Sequence, residues 1–278
     1  MQQEVMYFSE DKRVSLTCYI QPRHNALPNQ KALPAVIIFP GGGYKMLSER
    51  EADPIAFSFL AKGYNVFILR YSIQEYAVFP QPMVEAFQAI CHVRQQHERY
   101  NIHPDKIALL GFSAGGHLAA SVGTLWNRHS FQQLANVSGE EHKPNALILA
   151  YPVITSEWMK LNIEENLKTI LSDKFADSEM IKTITCSENV GRHTPPTFLF
   201  HTTEDQSVPA SDSLKFAAAL DAHQVPYELH IFQHGPHGIS LANSLTDDGT
   251  GLKIESEVQV WFSLCTTWLD RTFEHNRE

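Results

Sequence analysis

Ser113 stands in the run Gly111-Phe112-Ser113-Ala114-Gly115, extended by Gly116-His117. An apolar run, Lys106 to Leu110, leads into it, and a helix-forming run, Leu118 to Val122, leads out. The pattern is strand, tight turn, helix. A serine at such a turn presents its oxygen as a nucleophile. The flanking glycines permit both a strained backbone and the close approach of helix to strand. A lone Gly-x-Ser-x-Gly is a weak signal; the strand before it and the helix after it make this one specific.

A serine hydroxyl is a weak nucleophile at its ordinary pKa, so this chemistry needs a base, an acid that orients the base, and donors for an oxyanion. An acid and then a histidine follow Ser113 in the chain order used by α/β hydrolases. Asp205 lies just past the apolar run Thr197 to Phe200, and His237 just past Tyr227 to Phe232. Each has a competitor beside it. An Asp in a polar loop is most often a turn residue, and a lone loop His usually sits on the surface. Glu204 competes with Asp205, but the shorter acid followed by a turn suits a buried partner. His234 competes with His237, which lies further out on its loop and precedes Gly238 and the apolar Ile239.

The oxyanion donors are expected from Pro40-Gly41-Gly42-Gly43-Tyr44, directly after the run Ala35 to Phe39. Glycines let backbone N–H groups point into a site without obstruction. Gly42 and Gly43 together with the amide of Ala114 form the expected oxyanion hole, each donor contributing roughly 3–4 kcal/mol in the transition state. The turn lacks both the Gly-Lys-Ser/Thr ending of a P-loop and the Gly-x-Gly-x-x-Gly spacing of a dinucleotide site, so a nucleotide is not expected. Candidate substrate contacts are Tyr44, Phe112, His117 and Trp158, with Met159 and Leu161 as further apolar wall and Tyr76, Phe79 and Pro80 near the mouth. His117 and His201 otherwise take supporting roles.

The elements that must position these residues alternate along the chain. Glu4 to Ile20 reads as a hairpin around Asp11-Lys12. Apolar strands are expected at Ala35–Phe39, Tyr64–Leu69, around Ile107, and at Ala146–Ala150, Thr197–Phe200 and Tyr227–Phe232. Helices are expected at Pro54–Lys62 with Gly63 as stop, at Met83–Gln96, after Gly115, at Asp212–His223 and at Ser256–Phe273. The strands are continuous apolar runs, as where both faces of a sheet are covered. This is an α/β architecture on a mostly parallel sheet. From about residue 155 to 194 the chain has helix-like pieces, Ile163–Leu171 and Asp177–Thr183, but no clear strand. We read it as a cap inserted over the carboxyl ends of the strands, where such sheets bind ligands; an enlarged crossover without a role in binding is the plain alternative. Residues 1–278 otherwise read as a single domain.

The 278 residues are 43% hydrophobic and 19% charged, an ordinary globular composition able to bury a full core. The net charge of −9 argues against nucleic acid or an anionic membrane as partner. Four cysteines are scattered with no Cys-x-x-Cys spacing, so neither a zinc site nor a redox motif is indicated, and Cys91 and Cys265 read as core thiols. The apolar runs are far short of the roughly 18 residues needed to span a bilayer. The first residues, Met1-Gln2-Gln3-Glu4-Val5, lack the basic and apolar regions of a secretory signal. A cytoplasmic location is the expectation.

Taken together, Pro40–Tyr44, Ser48–Glu51, Gly63–Val66 with Arg70–Ser72, Gly111–His117, Pro195–Phe198, Asp205 with Val208-Pro209, and His237-Gly238 resemble a serine esterase of the α/β-hydrolase superfamily. Within it the chain is similar to bacterial acetyl-xylan-esterase-like and feruloyl-esterase-like carboxylesterases, near the hormone-sensitive-lipase-like group. Many of these carry His before the glycines, where this chain has Phe39-Pro40; the donors are backbone amides, so the hole survives that change. The resemblance implies an α/β-hydrolase fold with a small helical cap and hydrolysis of a small-molecule ester through an acyl-enzyme. Ser113 would be nucleophile, His237 base and then acid, and Asp205 the orienting carboxylate. No metal or organic cofactor is required. Dimers are common among such families, so a homodimer is one expected state. A short acyl group, acetyl to butyryl, on an alcohol such as a sugar is the expected substrate. Amide chemistry on the same triad, as in a small peptidase or arylformamidase, and a non-catalytic binding role are the alternatives.

Overall fold

The computed structural model describes residues 1–22, 32–155, 169–171 and 177–275. Trp158, Met159, Leu161 and most of the expected cap lie outside the described residues.

β1 (Gln2–Tyr7) and β2 (Ser15–Ile20) pair antiparallel as the hairpin read from the sequence, with Lys12 in its turn at φ 62°. β3 (Leu33–Phe39), β4 (Asn65–Arg70), β5 (Ile102–Phe112), β6 (Ala146–Ala150), β7 (Thr197–Thr202) and β8 (Tyr227–Phe232) follow. Among the described residues these strands form one sheet in the order β1-β2-β4-β3-β5-β6-β7-β8. β2 runs antiparallel to β4, and every pair from β4 to β8 is parallel. β5 is longer than its apolar run from Ile107, because buried Ile102 pairs with Leu33 and the stretch to Lys106 joins the two, with a register shift before Ala35.

The period-2 alternation of the strands sorts the core into two layers. Ala35, Ile37 and Phe39 of β3, Ile107 and Leu109 of β5, and Leu147 and Leu149 of β6 face one side. There they meet α2 (Gln81–Gln95), α4 (Ala114–Leu125) and α7 (Ser211–Ala222), where α3 is His97–Tyr100, α5 is His129–Ala135 and α6 is Ser178–Ile184. Val36, Ile38, Ala108, Leu110, Phe112, Ile148, Phe198 and Phe200 face the other side. They meet α1 (Asp53–Leu60) and α9 (Trp261–His275), which contributes Trp261, Cys265, Trp268, Leu269 and Phe273. The closing helix expected over Ser256–Phe273 is thus two: α8 (Ser256–Gln259) and α9, broken at Val260. The short helices α3 and α5 were not expected, since neither spans enough residues to show a helical period.

Between β6 and β7 the described part of the crossover contains α6 and a short 3-10 turn at Cys186–Asn189. Asp177 caps α6, its carboxylate accepting from the Glu179 and Met180 amides. The start of the crossover is fixed by Asp212 on α7, which accepts from the amides of Ile154 and Thr155 and from the Thr155 hydroxyl. Among the described residues no helix is long and apolar enough to cross a membrane.

Candidate active site

The loops leaving β3, β5, β7 and β8 all open on the carboxyl edge of the sheet, and β5 to β8 are consecutive neighbours there. Ser113 is the residue between β5 and α4. Its backbone is forced into φ 52°, ψ −116°, a region that a serine occupies only when its surroundings hold it there. They do: its N–H donates to the Ala150 carbonyl at 3.0 Å, and its own carbonyl accepts from His117 and Val153. The turn closes because Gly115 has no Cβ. A Cβ there would sit 2.0 Å from the Phe39 carbonyl oxygen.

Ser113 Oγ lies 2.8 Å from His237 Nε2, and His237 Nδ1 lies 2.6 Å from Asp205 Oδ2. Asp205 is buried, and its second oxygen accepts the amides of Ser207 and Val208 at 2.8 and 2.9 Å. His201 Nε2 approaches Asp205 Oδ2 at 3.3 Å, while its Nδ1 bonds the Ser213 hydroxyl. Burial alone would raise the Asp205 pKa. The hydrogen bonds from His201 and His237, the charge of His237 and the Val208 amide outweigh it and hold the carboxyl well below the ordinary carboxylate range. Asp205 is therefore an anion aimed at the imidazole. Glu204 and His234 instead pair with each other at 2.9 Å on the surface. The His234 bond holds Glu204 low, and Glu204 in turn raises His234.

The glycine turn lies against the nucleophile. A Cβ on Gly41 would be 3.0 Å from Ser113 Cβ. The Gly41 carbonyl accepts from Ser48, and that of Gly42 from Lys45 and Met46, so the turn is folded on its own carbonyls. Gly42 has φ 130° and its missing Cβ would meet the Met46 carbonyl at 2.2 Å, a site for glycine alone. Among the described residues the Gly42 and Gly43 amides donate to no hydrogen-bond partner. Ala114 opens α4, so its N–H has no helical acceptor. Phe39-Pro40, just before the glycines, is steadied by Tyr71, whose hydroxyl donates to the Pro40 carbonyl at 2.6 Å.

The expected substrate contacts fare unequally. Phe112 does not face the site. It has the parity of Ala108 and Leu110, so its ring is fully buried against Tyr151 and Trp261. Tyr44 and His117 are buried too, and they bond each other: the Tyr44 hydroxyl lies 2.8 Å from His117 Nδ1, and His117 Nε2 lies 2.8 Å from the Ile184 carbonyl. That carbonyl only accepts, so Nε2 carries the proton and Nδ1 accepts from Tyr44. Burial lowers the His117 pKa and keeps the ring neutral. The pair ties the glycine turn to the crossover. Tyr76 is exposed, with the Arg13 guanidinium 3.8 Å over its ring, while Phe79 packs on Phe131. A far larger cleft, about 700 Å³ and lined by Arg94, Asp105, Lys143 and His193, lies at the amino ends of β6 and β7, opposite Ser113.

Three residues at the site went unread as site residues. Glu51 is buried and accepts from the Gly41 amide at 2.8 Å and the Tyr151 hydroxyl at 2.7 Å. Tyr151 follows β6 and packs its ring edge-on to His237, centroids 5.2 Å apart. Arg50 donates to the Gly238 carbonyl at 3.0 Å. The signal in the sequence for Arg50 and Glu51 is the acidic and basic run Ser48-Glu49-Arg50-Glu51 shortly after the glycines; Tyr151 carries none.

A mostly parallel, doubly covered sheet with a strained serine between β5 and α4 and a Ser–His–Asp chain on its carboxyl edge defines an α/β hydrolase. The chain belongs to the BD-FAE family, whose model matches residues 24–220. Endo-1,4-beta-xylanase B of Butyrivibrio fibrisolvens is 32% identical over 213 residues, 75% of this chain and 33% of that protein. The acetylxylan esterase of Xylanibacter ruminicola is 27% identical over 233 residues, 83% of this chain and 44% of that protein. The chain thus spans less than half the length of these two relatives. The crystal structure of the carboxylesterase Cest-2923 from Lactobacillus plantarum superimposes with a TM-score of 0.88 at 27% identity, covering 98% of both chains.

Proposed function

We propose that the protein is a serine carboxylesterase that cleaves short-chain acyl esters, acetylated sugars among them, through an acyl-enzyme. The observation that carries this reading is the unbroken hydrogen-bonded chain from Ser113 Oγ through His237 to Asp205, at 2.8 and 2.6 Å. In this mechanism Ser113 attacks the ester carbonyl and its proton passes to His237 Nε2. Asp205 stabilises the imidazolium, and the amides of Gly42, Gly43 and Ala114 hold the oxyanion. The tetrahedral intermediate collapses as His237 protonates the leaving alcohol. Water, deprotonated by the same imidazole, then releases the acid and restores Ser113.

The acyl preference is supported by Tyr44 and His117, which are buried and bonded to each other next to the glycine turn instead of lining open space. Similarity to an acetylxylan esterase supports the same class of substrate. The reading includes a single domain with residues 155–194 as a cap over the site. Hydrolysis of p-nitrophenyl acetate, butyrate and decanoate by wild type and Ser113→Ala tests it. We expect short-chain activity that disappears in the variant. Decanoate as the best substrate would reject the short-acyl claim, and no ester activity with faster turnover of a matched amide would move the assignment to amide chemistry.

A further inference from the structure

The buried carboxylate of Glu51 takes no part in the steps above, yet it touches both halves of the site. Oε2 accepts the Gly41 N–H at 2.8 Å, at the head of the glycine turn. Oε1 accepts the Tyr151 hydroxyl at 2.7 Å. Tyr151 stands at φ 37°, packs against the His237 ring and accepts the Ser240 amide at 3.1 Å on the far side of the histidine loop. Its neighbour Arg50 grips the same loop at Gly238 and Thr246, and the Arg50 carbonyl accepts from the Ser240 hydroxyl. A Cβ on Gly238, the residue after His237, would lie 3.9 Å from Glu51 Oε1.

The hydrogen bonds favour one protonation state. Tyr151 already accepts from Ser240, so its single hydroxyl proton goes to Glu51. Gly41 can only donate. Both oxygens of Glu51 therefore face donors, which suits the carboxylate and not the acid. Burial pushes the Glu51 pKa up; the hydrogen bonds from Tyr151 and Gly41 and the positive charge of Arg50, joined by His237 once it is protonated, oppose that rise, and the nearby phenols of Tyr71 and Tyr151 are kept neutral by burial.

We propose that Glu51 is a positioning residue: it fixes the oxyanion turn through Gly41, fixes the His237 loop through Tyr151, and places a second negative charge beside the imidazolium formed when Ser113 attacks. This rests on the serine-esterase reading. The proton leaving Ser113 Oγ arrives on His237 Nε2, creating a cation flanked by Asp205 on one side and Glu51 beyond the Tyr151 ring on the other. A nearby anion favours that cation. The carboxylate touches neither substrate nor reacting atoms, so its effect appears in turnover rather than in binding.

Glu51→Gln keeps the shape and removes the charge. With p-nitrophenyl butyrate, kcat should fall about 10-fold or more while KM stays within about threefold, as expected for lost positioning. The acidic limb of the kcat/KM profile should also move to lower pH by roughly half a unit to one unit, the direction expected when a negative charge near the imidazolium is removed. Tyr151→Phe leaves the carboxyl in place but removes one of its two donors, so it should lower kcat and move that limb no further than Glu51→Gln does. A structural defect alone would reduce the amount of active enzyme and leave the limb in place. Both variants are checked for cooperative thermal unfolding; should Glu51→Gln fail to fold, an unchanged kcat in Tyr151→Phe overturns the proposal. A folded Glu51→Gln with wild-type kcat and an unmoved limb overturns it directly, with the esterase reading intact. Failure of the wild type itself to hydrolyse the ester or to be labelled at Ser113 by a fluorophosphonate removes the esterase reading, and the role of Glu51 with it.

Discussion

Ser113 holds its reactive oxygen by a backbone conformation that costs about 1–3 kcal/mol and is retained by hydrogen bonds to β6 and α4. Ser113→Ala should therefore fold and lose on the order of 10⁵ in kcat toward a short ester. Asp205→Asn keeps the shape but loses the anion, and about 10⁴ in kcat should go with it. That residue also links folding to pH. Its carboxyl is held below the ordinary range in the fold, so as pH falls the unfolded chain binds the proton first. Its contribution to stability is whole above about pH 4 and is lost as pH falls below that value toward the folded pKa. Urea titrations between about pH 5 and 2 should show a shallower loss of stability in Asp205→Asn than in wild type; equal slopes would contradict this. His234→Ala breaks only an exposed pair with Glu204, so ester turnover should stay within about twofold. The Ser, Asp and His candidates were legible because each follows an apolar run that ends at a loop. Glu51 and Tyr151 were not, because their meaning lies in a contact across 100 residues.

Two contacts between elements decide whether the site can form. Helix α4 crosses the end of β3 so closely that only glycine fits at position 115. Gly115→Ala should push α4 off the sheet and destabilise the fold by about 3 kcal/mol or more, since the clash is with backbone that cannot rotate away. Chemical denaturation would measure it, and a loss under about 1 kcal/mol would mean that the helix shifts freely. The second contact is Asp212 of α7 with the amides of Ile154 and Thr155 after β6. Asp212→Ala strands two buried N–H groups and should cost about 3–5 kcal/mol, with Asp212→Asn recovering part of it. Element boundaries were legible wherever an apolar run stopped at glycine, proline or a polar turn. They were misread where tertiary contacts override local signals. β5 starts early at Ile102, ahead of a polar stretch, because Leu33 offers it a partner, and the closing helix breaks at Val260, next to Trp261, which stacks on Phe200, centroids 4.5 Å apart.

Across the whole molecule the two core layers also seal the thiols. Cys18, Cys91, Cys186 and Cys265 are all buried and free. Burial pushes the Cys18 and Cys186 pKa values up to about 12 and that of Cys91 to about 11, with Cys265 well above its ordinary value. Buried, protonated thiols are poor nucleophiles. In native buffer at pH 8 none of the four should react with a disulfide reagent in the time that unfolded protein reacts completely, and fast labelling of any one would show local opening. At this scale the division between sequence and structure is plain. The alternation of strands and helices, the parallel sheet, the nucleophile turn and the glycine turn follow from the sequence alone. Steric demands of a tight turn and burial of apolar runs act locally and leave their mark in residue order. Which side of the sheet Phe112 faces, that Tyr44 and His117 bond each other, and that Arg50 holds the loop of His237 from 188 positions away were decided only in three dimensions. Those contacts join segments that the strand order brings together, and hydrogen bonds between distant loops leave no period or spacing in the chain.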